Sequence, residues 1–200
     1  QKEFKPGWVV ADLCGMKRAI FDDLSELAEK NGFTYIGTHP MAGRETSGFE
    51  SADSALFCNA SLILTPMKSA RIEEIGVLKE LAERIGFTHF EIGSAEEHDE
   101  MIAFTAHLAH DVSSAYIKRP TASRHKGFSA GSYSDMTRVA RLNEAMWTEL
   151  FLDNADNLTR EVDGIIAELE KYRAALVKRD EQGLTALLRE GRLRKEDIDC

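Results

Sequence analysis

Phe33-Thr34-Tyr35-Ile36-Gly37-Thr38-His39-Pro40-Met41-Ala42-Gly43-Arg44-Glu45-Thr46-Ser47-Gly48 is the stretch on which the reading of this chain turns. Its first four residues are aromatic or β-branched and predict a strand. The residues after them put a histidine between that strand and a glycine-bounded loop, the position where α/β folds keep their chemistry. His39 is therefore the first candidate catalytic residue. Upstream, Pro6-Gly7 marks a turn, Trp8-Val9-Val10-Ala11 a β-prone run, and Lys17 to Asn31 a helix. Ile20, Leu24, Leu27 and Ala28 share one face of this helix, and Gly32 stops it. Downstream, Ser61 to Thr65 predicts a third strand ended by Pro66. A helix from Ser69 to Ile85 then stops at Gly86, before a strand-like Phe87 to Ile92. Strands that alternate with helices imply a mainly parallel sheet.

The texture changes at Ser94-Ala95-Glu96-Glu97, a capping box in which the serine oxygen and the Glu97 carboxylate satisfy the free amides of a helix start. Beyond it the pattern is helical. Met101, Phe104, Leu108, Val112 and Ala115 form one apolar stripe. A longer one runs through Met146, Leu150, Asn154, Leu158, Val162, Ile165, Leu169, Tyr172 and Leu176. A single helix of roughly 30 residues with so sustained a stripe packs on more than its own domain, which predicts a homodimer. Between the stripes, Arg119 to Asp135 has no helical period and reads as a loop or short broken helices. The expected fold class is α/β followed by all-α, with a boundary between residues 1–94 and 95–200.

With 43% hydrophobic and 30% charged residues, the 200-residue chain has the composition of a soluble globular protein. Its formal charge of -9 has no basic stripe set against it, which excludes a nucleic-acid binder. Three cysteines, Cys14, Cys58 and Cys200, without Cys-x-x-Cys spacing suggest neither a disulfide framework nor a thiolate zinc site. No apolar run reaches the ~20 residues needed to cross a bilayer, and the first residues do not read as a signal peptide. A cytoplasmic location without membrane contact is the expectation.

The histidine loop resembles the His-Pro-Met-Ala-Gly-x-Glu-x-x-Gly loop of the prephenate dehydrogenases. The resemblance recurs at Asp12-Leu13-Cys14-Gly15-Met16-Lys17, at His98-Asp99 with His107-Leu108-Ala109-His110, and at Thr137-Arg138 with Met146-Trp147. It implies a partial Rossmann-type parallel sheet followed by a helical dimerisation domain like the C-terminal domain of phosphogluconate dehydrogenase. It also implies NAD- or NADP-dependent oxidative decarboxylation of prephenate to 4-hydroxyphenylpyruvate in tyrosine biosynthesis. No Gly-x-Gly-x-x-Gly follows a strand here, so the chain is expected to lack the Gly-rich first half of the nucleotide-binding domain. Arogenate oxidation is the nearest alternative. A non-catalytic dimerisation or ligand-sensing module is another, and a helical metallohydrolase built on the histidines a third.

The reaction implied needs a base for the ring hydroxyl proton, a hydride acceptor and a cationic clamp for carboxylates. By the resemblance His39 is the base, a role that suits an imidazole of ordinary pKa about 6.5. Without the resemblance, a histidine that merely caps a strand end would be the better reading. Arg138 would clamp a carboxylate through paired guanidinium bonds, although arginines on helices are mostly solvated. His107, His110, Gly131 and Trp147 would join it around the substrate. Glu45, Asp99 and Asp135 match acidic positions that form ion pairs around the pocket, or are plain surface carboxylates. Asp12, Cys14, Gly15 and Lys17 would lie near the cofactor. Gly15 departs from the pattern: many relatives carry a serine there, whose hydroxyl touches both the histidine and the substrate. His-x-x-His at 107 and 110 is also half a metal site, with His39 or Asp99 as a third ligand. No complete ligand set appears, and no metal is expected. Arg119, Arg124, His125 and Lys126 gather positive charge that fits anion capture or a solvated loop.

Overall fold

The computed structural model describes residues 4–43 and 48–199, so the expectation for Glu45 lies outside the described residues. Four strands pair in chain order: β1 (Val9–Ala11), β2 (Thr34–Pro40), β3 (Ser61–Pro66) and β4 (His89–Ile92). Two pairings, β1 with β2 and β3 with β4, are parallel, each bridged by a helix: α1 (Arg18–Asn31) and α2 (Ile72–Ile85). The central pairing of β2 with β3 is antiparallel, a departure from a uniformly parallel sheet. Its cause is the connection. Among the described residues between them only the 3-10 turn Phe49–Ser51 is helical, so no crossover helix carries the chain back before it re-enters the sheet.

Alternation along β2 sorts the core. Ile36 faces Leu62, Leu64, Ala82 and Phe87, with Ile75 and Leu78 of α2 packed against them. Its neighbour Tyr35 faces Ala28, Phe33 and Met67, with Phe21, Leu24 and Leu27 of α1. The two helices thus cover opposite faces of the sheet. Gly32 ends α1 with φ of 73°, a left-handed conformation that glycine adopts without steric cost, and its N–H closes on the Ala28 carbonyl.

The capping box at Ser94 is present. The Glu97 amide donates to Ser94 Oγ at 3.1 Å, and the Ser94 amide donates to the Glu97 carboxylate at 2.8 Å. It opens α3 (Ala95–Ile102), which passes through a π turn at Ala103–Leu108 into α4 (Ala109–Ile117). The π turn shifts the buried face. Ile102, Ala103 and His107 are buried, whereas Met101 and Phe104, expected in the apolar stripe, are 56% and 58% exposed. The 3-10 turn Pro120–Arg124 and the short α5 (Gly131–Thr137) follow.

The expected single helix of about 30 residues is instead broken at Asn154 into α6 (Glu144–Asp153) and α7 (Ala155–Lys178). Asn154, with φ of -122° and ψ of 26°, leaves the helical conformation. Its fully buried amide donates to the Asp99 carbonyl at 2.7 Å, a tertiary bond that the apolar pattern does not register. The chain divides into two compact units, Gln1–Leu158 and Thr159–Cys200. In the second, Tyr172 of α7 donates to the Leu187 carbonyl of α8 (Glu181–Asp199) at 3.4 Å. Among the described residues no helix is long and apolar enough to cross a membrane.

Candidate functional site

Parallel strands β1 and β2 end side by side, and their carboxyl ends deliver the turn 12–16 and His39 to the same edge of the sheet. A buried polar network joins them. Asp12 accepts from Lys17 Nζ at 2.6 Å, from Tyr35 Oη at 2.7 Å, and from the amides of Cys14 and Thr38 at 2.7 and 3.2 Å. Thr38 Oγ1 in turn donates to the Asp12 carbonyl. Burial alone would push the Asp12 carboxyl up, and the bonds from Lys17, Tyr35 and Cys14 outweigh it and hold the group below its ordinary range.

Lys17 is fully buried, and its ammonium also donates to the Cys14 carbonyl at 2.8 Å. Gly37 makes room for it. A Cβ at that position would collide with Thr65 Oγ1 and come within 3.1 Å of Lys17 Cδ, so glycine lets the lysine lie across β2. Lys17, expected beside a cofactor, is thus held within the protein by Asp12.

His39 is half-buried at the end of β2. Its Nδ1 lies 2.8 Å from His98 Nε2, and His98 Nδ1 lies 2.6 Å from Asp99 Oδ1. Asp99 is fully buried and caps α1: Oδ1 accepts the Lys17 amide and Oδ2 the Arg18 amide, each at 2.9 Å. Arg18 Nε adds a longer contact to Oδ2 at 3.4 Å, while its guanidinium holds Asp156. Burial would raise the Asp99 carboxyl, but bonds from His98 and the two amides hold it low. For His39, burial first, then the charges of His98 and Lys17, press the imidazole down to about 4 against an upward pull from Asp12 and Asp99. At neutral pH His39 is therefore uncharged.

A second group lies on the π turn and α6. His107 is 2% exposed with its rings 6.1 Å from Trp147 and 5.5 Å from Phe151, and its Nδ1 has no hydrogen-bond partner among the described residues. Burial lowers its pKa, with Asp99 pulling upward and His110 and His98 pushing down. His110 stacks on Trp147 with centroids 4.0 Å apart, and its Nδ1 bonds the Ala106 carbonyl at 2.8 Å. Leu150 of α6 reaches the turn 12–16, since a Cβ on Gly15 would stand 3.4 Å from its Cδ2.

Of the expected site residues, the fold therefore gathers Asp12, Cys14, Gly15, Lys17, His39 and Asp99 into one neighbourhood, and His107, His110 and Trp147 into an aromatic cluster. Gly131 and Asp135 lie exposed on α5, and Arg138 is its exposed C-cap. Ser113 Oγ of α4 ties this helix down by donating to the Met136 carbonyl at 2.7 Å. A cavity of about 880 Å³ is lined by Tyr116, Tyr133 and, from the cationic segment, Arg119, Arg124 and His125, but by none of His39, His98 or His107. Among the described residues no three His, Cys, Asp or Glu side chains are grouped to hold a metal ion. His98 carries the family resemblance in the pair His98-Asp99, but nothing local in the sequence assigns it to the site, because its contact with His39 spans 59 positions.

Residues 1–90 match the family model described as prephenate dehydrogenase, nucleotide-binding domain, and residues 94–190 the one described as prephenate dehydrogenase, dimerization domain. The chain is 30% identical over 181 residues to a prephenate dehydrogenase of Bacillus subtilis (strain 168), covering 88% of this chain and 48% of that protein. It is 32% identical over 178 residues to a cyclohexadienyl dehydrogenase of Zymomonas mobilis, covering 86% and 60%. The chain thus spans about half the length of the curated relatives it matches. Among solved structures it resembles a prephenate dehydrogenase from A. aeolicus in complex with hydroxyphenyl propionate and NAD+. The TM-score is 0.80 and the identity 28%, over 95% of this chain and 67% of that one. A Synechocystis arogenate dehydrogenase, at 24% identity and TM-score 0.78, shares the fold over 95% of this chain and 69% of that one.

Proposed function

Because this chain belongs to the prephenate and arogenate dehydrogenase family, we propose that it carries the proton-accepting and substrate-holding part of a nicotinamide-dependent dehydrogenase that oxidatively decarboxylates prephenate. The observation that carries the reading is His39: neutral, at the carboxyl end of β2, with Nδ1 engaged by His98 and no hydrogen bond to Nε2 among the described residues. In the reaction His39 takes the proton of the ring hydroxyl as hydride leaves the same carbon. The bond to the ring carboxylate then breaks, carbon dioxide departs, and its electron pair completes the aromatic ring. His107, His110 and Trp147 form the aromatic wall against which the ring packs, and Arg138 clamps a carboxylate, with Gly131 and Asp135 on the same helix.

A nicotinamide cofactor, NAD or NADP, would supply the hydride acceptor. The turn 12–16 suits the ring end of such a group: Leu13 is 71% exposed and Cys14 is exposed at the carboxyl end of β1. The first α1 amides do not suit the phosphates, since Asp99 already accepts from them. Arogenate, which differs from prephenate by an amine in place of the keto group, would use the same ring chemistry. Residues 95–200 are proposed to dimerise and residues 1–94 to belong to the nucleotide-binding domain. A non-catalytic, ligand-sensing use of the same pocket makes a different prediction at the chemical step.

Calorimetric titration of this chain with prephenate, beside the Arg138→Ala variant, tests the reading. Binding by the parent, weakened in the variant by roughly 2 to 5 kcal/mol, is expected for a guanidinium paired with a buried carboxylate. Equal affinities would remove Arg138 as the clamp, and no binding to either protein would count against a substrate pocket in this chain.

A further inference from the structure

We propose that His98 is a positioning residue which, backed by Asp99, holds His39 in the tautomer with its proton on Nδ1 and so reserves Nε2 as the proton-accepting atom. The inference rests on the reading of His39 as the base. Asp99 is the most constrained group in this chain of contacts.

Among the described residues every polar neighbour of the Asp99 side chain is a donor: the amides of Lys17 and Arg18, the more distant Arg18 Nε, and His98 Nδ1 at 2.6 Å. An ionised carboxylate only accepts, so His98 Nδ1 must carry a hydrogen. A neutral His98 then has a lone pair on Nε2, and the only hydrogen that can fill the 2.8 Å contact is one on His39 Nδ1. For a neutral His98 the direction of both bonds follows from one buried acid, as carboxylates behind functional histidines set their tautomer elsewhere.

The frame is rigid. His98 is 4% exposed and Asp99 fully buried, the Asp99 carboxylate is tied to the start of α1, and its carbonyl is tied to Asn154. When His39 gains a proton on Nε2, the new imidazolium can pass its Nδ1 hydrogen to His98 Nε2. One N–H bond forms as another breaks, and the positive charge moves next to the Asp99 carboxylate.

Long-range proton–nitrogen NMR of the imidazoles in this 200-residue chain, at neutral pH and without ligand, reads the tautomers directly. Both His39 and His98 are expected to carry hydrogen on Nδ1 and none on Nε2. In His98→Phe, which keeps a ring but no acceptor, the His39 signal should lose its Nδ1–H character, whereas His98→Gln, which retains an acceptor oxygen, should restore part of it. His39 protonated on Nε2 in the parent, or an unchanged His39 signal in His98→Phe, overturns the proposal. The parent spectrum decides even if a variant fails to fold. In a protein with the whole nucleotide-binding domain, His98→Phe should reduce kcat about 100-fold with a much smaller change in KM. Tautomers as expected together with absent turnover of prephenate would leave the relay intact and reject the dehydrogenase reading instead.

Discussion

At the scale of single residues, His39 combines a half-buried, neutral imidazole with an Nδ1 contact to His98, and its Nε2 has no hydrogen bond among the described residues. Its depressed pKa has a measurable sign. The unfolded chain binds a proton at His39 near pH 6.5 and the folded chain only near 4. Stability linked to this group is therefore fully present above about 6.5 and declines as pH falls toward about 4, because only the unfolded state gains the proton in that window. An NMR titration of the His39 ring should show a midpoint near 4, and a midpoint at or above 6.5 would contradict the burial argument. In an enzyme with its full cofactor domain, His39→Asn should lower kcat by about 10²- to 10⁴-fold while changing substrate affinity far less. Comparable turnover would remove it as the base.

At the scale of elements, two irregularities build the site. The π turn Ala103–Leu108 inserts an extra residue per turn, so that Ile102 and His107, five apart, share the buried side. In an unbroken α-helix the residue beneath Ile102 would be Ala106 and not His107. The break at Asn154 is the second. It aims an amide at the carbonyl of the residue that orders both α1 and His98. Asn154→Ala should cost roughly 1 to 3 kcal/mol in chemical denaturation, since it leaves the buried Asp99 carbonyl without its donor. A stability unchanged from the parent would mean that the helix breaks there for another reason.

At the scale of the whole molecule, the long apolar stripe divides into two fates. Leu158 is 8% exposed within the first unit, so a charge there would probe folding rather than association. In the second unit Leu169 and Leu176 are 58% and 61% exposed on α7, beside Val177 at 74%. An apolar row left this open on a helix calls for a partner surface. Residues 94–190 match a dimerization-domain model, and a second copy of this chain is the proposed occupant. Sedimentation at micromolar concentration should find the parent dimeric and Leu169→Glu or Leu176→Glu monomeric. A variant that stays dimeric would place the interface elsewhere.

The sequence by itself determined the order of strands and helices through residue 92, the capping box at Ser94, and the placing of His39 at a strand end, because periodicity and capping chemistry are local. It also carried the family resemblance in separated motifs, since the residue types at those motifs are retained in order. Only the tertiary structure decided the antiparallel join of β2 to β3, the π turn, the break at Asn154 and the burial of Lys17. The join, the break and the burial each depend on a partner distant in the chain: β3 for β2, Asp99 for Asn154, and Gly37 for Lys17. The contact of His98 with His39 belongs with these, because a hydrogen bond between residues 59 positions apart has no local pattern to announce it.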